Sequence, residues 1–356
     1  MRTTSFASSL CLLLSLLTAC VGSPQPQPLQ LVQSRPQNVS PTHQALIDVA
    51  NQYARDGLYR EAIASFKKYL AEQPKDAAAH RTLGIIYVKS GAYKQAIVHL
   101  QEALPLYPDN FELNYYLAEA YRTQNRYADA IYHYKRALNT DPKNLPTLKA
   151  LTWSYYSIRY YTEALKASKA LRKMDPNDFQ ISIIQARIMN KIGMNDKALT
   201  VLNKAEALAS PEEVPYLYSV KGDIYLELGE KDKAEQSFRR ALQDQPLLPG
   251  ALTGLAKKLL TDGKNTDQAI IYLERAIRIR PQHLEAYFHL GRAYEKLDPK
   301  KSEDFYKQFY KEAAFDPSFQ QEVASLRIRF ANEEKKSKSD TESVQSSRAE
   351  ELEDQL

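Results

Sequence analysis

The sequence predicts an all-α fold: a superhelical solenoid of about eight helix-turn-helix repeats, closed by a C-terminal capping helix. Three ladders of residues, running in register, carry that prediction. Pro74, Pro108, Pro142 and Pro176 stand 34 residues apart, and Pro211, Pro246, Pro281 and Pro317 continue the series at 35, 35, 35 and 36. Ala62, Ala96, Ala130, Ala164, Ala198, Ala234 and Ala269 precede the matching prolines by a near-constant interval. Tyr53, Tyr87, Tyr121, Tyr155, Tyr225 and Tyr294 form the third ladder, with Met189 and Leu259 in its gaps. A period of this length marks stacked units, none of which can bury its apolar face alone. Composition agrees, because 44 % apolar and 26 % charged residues suit a folded body while 11 glycines in 356 residues leave little room for a turn-rich β protein.

Ahead of the repeats, Arg2 precedes an apolar run from Leu10 to Leu17. The run is as long as a secretory signal core and too short to cross a bilayer, which takes roughly 20 residues. Cys11 lies inside it, so cleavage leaves Cys20 as the only thiol of the mature chain and no disulfide can form within one copy. Leu17-Thr18-Ala19-Cys20 resembles the lipobox of bacterial lipoproteins. That resemblance implies a signal peptide over 1–19, a diacylglyceryl group on the Cys20 sulfur and a chain held at the membrane by its acyl groups. In that family an Asp after the cysteine favours the inner membrane; Val21 stands there, implying the outer membrane and its periplasmic side. Residues 20–42 carry Pro24, Pro26, Pro28, Pro36 and Pro41 among Gln, Ser and Val, a composition for an extended tether of up to roughly 60 Å.

The repeats begin at His43. In the unit Ala77 to Asn110, His80, Leu83, Gly84 and Tyr87 fall on one helical face, and Ala96, Leu100 and Ala103 fall on another. Gly91 marks the turn between two helices and Pro108 stops the second. Gly84 and Ala96 are small where two antiparallel helices come closest. The pattern resembles the tetratricopeptide repeat (TPR), with units at 43–76, 77–110, 111–144, 145–178, 179–212, 215–248, 249–283 and 284–317. It departs at the fourth position, where Leu46, His80, Asn114 and Leu148 replace an aromatic, and at Thr152, where a smaller residue is usual. Glu213 and Val214 are an insertion. In the eighth unit Phe305 falls near the expected alanine, so its second helix is expected to pack differently.

After Pro317, the spacing of Phe319, Val323, Leu326 and Phe330 predicts an amphipathic helix over 318–333 that covers the last repeat. Residues 334–356 are charged and serine-rich, with one Val and two Leu, and read as a disordered tail.

No catalytic set emerges: GxGxxG, the P-loop, HExxH and GxSxG are all missing, and the folded residues are taken up by the repeats. The chain reads as no enzyme, with no cofactor, no metal and no small-molecule substrate. His99 and His133 hold equivalent places in adjacent units and are expected on one outer face, without enough ligands for a metal. A net charge of +5, spread along the chain, gives no argument for nucleic acid.

Binding is what remains. In the TPR family, first helices line a concave groove through their second, fifth, ninth and twelfth positions. The resemblance therefore implies a protein-binding groove at Arg81, Ile85 and Val88 in unit two; Tyr115, Glu119 and Arg122 in unit three; Lys149, Trp153 and Tyr156 in unit four; and Ile183 and Arg187 in unit five. This basic and aromatic set suits an extended or helical partner segment of acidic character. Trp153 has two readings, a groove anchor or a ring packed on the next unit. Tyr53, Tyr87 and Tyr121 read as core. Asn51 is paired with Ile47 and Arg81 with Ile85, which breaks the pattern of a carboxylate clamp for chaperone tails. Lipobox, tether and repeats together resemble the pilotin lipoproteins that assist type IV pilus secretins. The alternative is an envelope adaptor for peptidoglycan hydrolases or synthases.

Overall fold

The structure, a computed structural model, describes residues 41–263, 265–314, 316–333 and 335. Cys20, the signal peptide, nearly all of the tether and nearly all of the charged tail lie outside the described residues. Eight helical hairpins follow one another: α1 (Pro41–Arg55) with α2 (Tyr59–Glu72), α3 (Ala77–Lys89) with α4 (Tyr93–Ala103), α5 (Phe111–Thr123) with α6 (Tyr127–Thr140), and α7 (Leu145–Ser157) with α8 (Tyr161–Met174). Then come α9 (Phe179–Lys191) with α10 (Asn195–Glu206), α11 (Val214–Glu227) with α12 (Lys231–Asp244), α13 (Pro249–Asp262) with α14 (Thr266–Ile279), and α15 (Leu284–Tyr294) with α16 (Pro299–Ala313). A 3₁₀ turn, Pro317–Phe319, leads into a last helix, α17, over 320–333. No strand occurs among the described residues. The fold divides after Leu208 into two compact units, with α1–α10 in the first and α11–α17 in the second.

Two local devices recur along the hairpins. The first is a side-chain cap at the start of the first helix. Asp76, Asn110, Asn144 and Asp178 each accept a hydrogen bond from a backbone N–H in the first turn of α3, α5, α7 and α9. Such a cap satisfies an otherwise orphaned donor and contributes about 1 kcal/mol. The second device is a left-handed residue between the helices: Gly57, Gly91, Asn125, Arg159, Gly193 and Gly229 all have positive φ. The residue after each returns its N–H to the carbonyl of the tyrosine ladder, as in Leu58 to Tyr53 at 2.8 Å, Ala92 to Tyr87 at 2.8 Å and Arg126 to Tyr121 at 2.9 Å. That bond closes the first helix in the manner of a Schellman turn and aims the second helix back along it.

Packing within a hairpin centres on a small residue facing a large one. A Cβ on Gly84 would lie 2.6 Å from Leu100 Cγ, and Cβ atoms on Gly222 and Gly291 would lie 2.4 Å and 2.5 Å from the rings of Phe238 and Tyr306. Ala96, Leu100, Ala234 and Phe238 are fully buried at these contacts. Within each unit, a second helix then packs on the first helix of the next hairpin, and some consecutive first helices also touch, as α3 does α5 and α7 does α9.

The eighth hairpin keeps this rule by a shorter turn, which corrects the expectation drawn from Phe305. Ser302, not Phe305, fills the alanine place: it is fully buried and its hydroxyl donates to the Gly291 carbonyl at 2.8 Å. Phe305 instead stacks on Tyr294, ring centres 5.7 Å apart. The capping helix α17 covers this end, where Val323 and Leu326 are buried with Tyr287, Tyr306 and Phe309, and Phe319 and Phe330 pack beside them.

Candidate protein-binding site

The first helices α3, α5, α7 and α9 carry the positions singled out from the sequence, and the structure sorts them into three groups. Ile85 and Tyr115 are buried, at 2 % and 8 % exposure, so neither offers a side chain to a partner. That corrects their place in the groove. Ile85 is part of the core that continues from α1 through α7. Tyr115 stacks on Phe111 at 5.9 Å and its hydroxyl is enclosed without a hydrogen-bond partner; burial first, and then the Glu119 charge, holds its ionisation far above the ordinary tyrosine range.

Glu119 and Arg122 form the second group. Arg122 Nη2 lies 2.7 Å from Glu119 Oε2, with side chains only 18 % and 14 % exposed, and the buried Tyr134 hydroxyl donates to Glu119 from α6. The sequence reading made Arg122 a groove cation; its charge is instead committed inside its own hairpin.

The third group is partly exposed: Arg81, Val88, Lys149, Trp153, Tyr156, Ile183 and Arg187. The Arg81 guanidinium carbon sits 5.3 Å over the Tyr107 ring, and its Nε is enclosed without a hydrogen-bond partner. Lys149 pairs with Asp178, the residue that caps α9, and so ties α7 to the next hairpin. Trp153 and Tyr156 have ring centres 5.4 Å apart, and Tyr156 lies 5.8 Å from Tyr161. Trp153 packs against a cluster of Ala164, Ile184 and Ile188 and stays partly exposed.

Residues beside these belong to the same face and escaped the sequence reading. Lys89 lies near Glu112 and burial draws its ammonium below the ordinary lysine value. Tyr116 is raised to about 12, by burial first and then by Glu112. Their signal is the position itself, since Lys89 follows the twelfth place of one first helix and Glu112 holds the second place of the next.

In the second unit the same face has different chemistry. Lys257 Nζ pairs with Glu285 Oε1 at 2.8 Å, and Glu285, Asp223 and Glu227 together hold its ammonium above the usual value, against its burial. Thr253 meets His283 at 2.9 Å, and burial depresses that imidazole to about 4.

The two histidines of equivalent position sit inside their own hairpins. His99 stacks on Tyr87 with its Nδ1 2.9 Å from that of His80, while His133 stacks on Tyr121 and donates to Asn114 Oδ1 at 3.0 Å. The pairs His80 with His99 and Asn114 with His133 thus fill the place left by the absent aromatic of the fourth position. Among the described residues no group of three or more His, Cys, Asp or Glu is placed to hold a metal ion. No described helix is long and apolar enough to cross a membrane.

Comparison with known proteins bears on the repeats. The tetratricopeptide repeat family matches residues 53–105 and 87–152, again 195–251 and 219–283, and finally 285–314. Anaphase-promoting complex subunit 3 of Schizosaccharomyces pombe is 33 % identical over 113 residues, which is 32 % of this chain and 16 % of that protein. The chain therefore spans under a fifth of that relative's length. A tetratricopeptide repeat protein from Parabacteroides merdae superposes with a TM-score of 0.60 at 15 % identity, covering 76 % of this chain and 99 % of its own. A human IFIT1 dimer with PPP-AAAA gives 0.51 at 17 % identity over 84 % and 74 % of the two chains. At these identities the likeness is one of fold.

Proposed function

We propose that this chain, whose described body is a solenoid of tetratricopeptide repeats, acts as a membrane-tethered scaffold and not as a catalyst. It binds an acidic segment of a partner protein across the first helices of repeats two to five. In doing so it assists assembly or localisation of an envelope complex such as a pilus or secretion machine. Proteins built of these repeats bind protein partners, and the observation that carries the reading to this face is Trp153. The packing rule of the hairpins asks for no large ring at its position, yet the only tryptophan of the chain stands there, partly exposed, with Tyr156, Lys149, Ile183 and Arg187 on the same or the next first helix. Large rigid rings among cations are how interface anchors are composed.

The membrane half of the reading rests on sequence. Cys20, placed after a short apolar run and two small residues, supplies the thiol for lipid attachment, and two or more acyl chains give stable anchoring where one does not. The Pro- and Gln-rich stretch that follows then holds the repeats away from an outer-membrane leaflet on its periplasmic side.

Capture from envelope extracts tests the binding half. Wild type is compared with Trp153→Ala and Arg187→Glu; Arg122 is unsuited because a change there disrupts a buried pair. Loss of a central aromatic anchor is expected to lower partner affinity at least about tenfold. Equal recovery by all three proteins would refute the binding face. Recovery of secretin or pilus components favours an assembly role, whereas peptidoglycan hydrolases or synthases would redirect the reading to cell-wall scaffolding. For the anchor, Cys20→Ser is expected to release the protein from membranes into the soluble fraction.

A further inference from the structure

We propose that Arg81, laid over the Tyr107 ring at the turn between repeats two and three, is the seat for a side-chain carboxylate of the partner and sets the preference of the first unit for an acidic segment. The proposal rests on the protein-binding reading of that face given above, and deepens it.

The repeat period allows the fifth place of each first helix to be compared with the residue that caps the next one. In repeat four the fifth place is Lys149, and it pairs with Asp178, the cap of α9. Two periods earlier the same places hold Arg81 and Asn110. Asn110 caps α5 by accepting from the Leu113 N–H at 2.9 Å, but it brings no charge. Repeats one and three hold Ile47 with Asp76 and Tyr115 with Asn144. Of these four, repeat two alone sets a cation against an uncharged cap. The turn 104–110 has one carboxylate, Asp109, and it is drawn away, since Arg136 of α6 donates to its Oδ1 at 2.7 Å. Among the described residues no carboxylate forms an ion pair with Arg81.

An unpaired arginine at a surface is ordinarily a mobile, solvated side chain. Arg81 is held: it is only partly exposed, its guanidinium carbon lies 5.3 Å over the Tyr107 ring, and its Nε is enclosed without a hydrogen-bond partner. The ring fixes the guanidinium plane without neutralising its charge. The enclosed Nε closes one edge, which leaves the two Nη groups as the edge a ligand can reach. That edge is a fork matched to the two oxygens of a carboxylate. Because folding has already ordered the side chain, little of that entropy is lost on binding. Other cations of this face differ, for Arg122 is held by Glu119 and Lys149 by Asp178. A carboxylate arriving at those two must displace an internal one; at Arg81 it displaces water.

The full chain is titrated with dye-labelled octa-L-glutamate, followed by fluorescence anisotropy. Arg81→Gln is expected to weaken binding about tenfold, as loss of a charge-assisted pair does. Arg81→Lys, which keeps the charge without the fork, should recover part of that loss. Asn110→Asp is the sharper variant. Aspartate caps a helix as well as asparagine does, so the fold is kept, while the new carboxylate stands to Arg81 as Asp178 stands to Lys149. It is expected to weaken binding about tenfold in the wild-type background and less than about twofold once Arg81→Gln is present. Asn144→Asp adds the same charge one repeat on, where the fifth place is Tyr115, and should change affinity less than about twofold. No binding by wild type at about 5 mM peptide would overturn the proposal, as would equal affinity for Arg81→Gln. Equal effects of Asn110→Asp and Asn144→Asp would also overturn it, because they mark a diffuse field and not a seat. If Arg81→Gln leaves octa-L-glutamate binding unchanged while Trp153→Ala still lowers partner capture, the binding face stands and the carboxylate seat is lost. If Trp153→Ala leaves capture unchanged while Arg81→Gln weakens octa-L-glutamate, the seat stands as an anion site and the reading centred on Trp153 fails.

Discussion

The third and fourth repeats are neighbours of the same length and topology, yet they fill their interiors in opposite ways. In the third, Ala118 is followed sixteen places on by Tyr134, a fully buried ring whose hydroxyl donates to Glu119 beside Arg122. In the fourth, the same two places hold Thr152 and Ser168, and each hydroxyl donates to a carbonyl of its own helix. Ser154 and Ser157 are buried there too. The fourth hairpin has less apolar mass at its centre, and its bulky aromatics, Trp153, Tyr155 and Tyr156, are only partly buried. The two repeats therefore differ at their centres: the third encloses Tyr134 with Glu119 and Arg122, while the fourth closes over small hydroxyl residues and leaves Trp153, Tyr155 and Tyr156 partly exposed.

The largest expected effect breaks the third repeat's inner network. Arg122→Leu leaves Glu119 without its partner in a site that is less than one fifth exposed, and removing one member of such a pair costs about 3 kcal/mol. Because each repeat contacts only its neighbours, the loss is expected to be local. Hydrogen exchange should accelerate in α5 and α6 more than in α1 and α2. Uniform acceleration across the first unit, or none, would contradict the assignment.

A second effect follows from pH and acts on the third repeat through its histidine. Burial, with the Arg136 charge added, depresses His133 from 6.5 to about 4, while Asp129 opposes the shift. The unfolded chain takes up a proton below about pH 6.5 that the folded repeat refuses until about pH 4, so stability falls as pH drops through that window. The loss is on the order of 2 kcal/mol at the acid end. The fourth repeat has Ala167 in that place and lacks this contribution. Melting curves from pH 7 to pH 4.5 should therefore flatten in His133→Gln, which keeps a donor for Asn114 and does not titrate.

The fourth repeat can be sharpened in the other direction. Thr152→Ala with Ser168→Leu recreates the pair Ala186 and Leu202 of the fifth repeat, where both residues are fully buried. Added apolar burial at about 25 cal/mol per Å² predicts a gain of about 1 kcal/mol in local stability, read by slower exchange in α7 and α8. Destabilisation would mean that the hairpin has already closed around its small residues, so that the strain of overpacking outweighs the added burial.

Much of this is legible in the sequence. The period named the hairpins because a proline stop, a small contact residue and an aromatic recur with every turn of the stack, and each has a geometric reason. The cap ladder at Asp76, Asn110, Asn144 and Asp178 stands two residues beyond each proline, but a polar residue in a loop reads equally well as a solvated one. The binding face was less legible. Position within a first helix says which way a side chain leaves the backbone, but not whether a neighbour covers it. Ile85 and Tyr115 were lost to burial for that reason. Arg122 was lost because Glu119 and Tyr134, fifteen residues apart in sequence, meet only after folding. Phe305 misled because one residue is missing from the preceding turn, which moves every later residue of the hairpin by one place.

The smallest effect tests the turn that distinguishes the fourth repeat. Arg159 has φ 64° at a position where Gly57, Gly91, Gly193 and Gly229 stand in other repeats. A side chain in the left-handed region meets its own backbone, and only Gly, or less well Asn, escapes that clash. Asn125 takes this easier course in the third repeat, at φ 57°. Arg159→Gly is thus expected to stabilise the fourth hairpin by about 1 kcal/mol, less the added freedom of glycine in the unfolded chain. Gly193→Ala should destabilise the fifth by a similar amount. Its Cβ would meet no atom within 4 Å, so the whole of that loss would come from backbone conformation. Chemical denaturation of the two variants beside wild type should move in opposite directions. If Arg159→Gly instead weakens the protein, the arginine side chain contributes more at the surface than its backbone strain removes, and the fourth repeat is less loosely held than its core suggests.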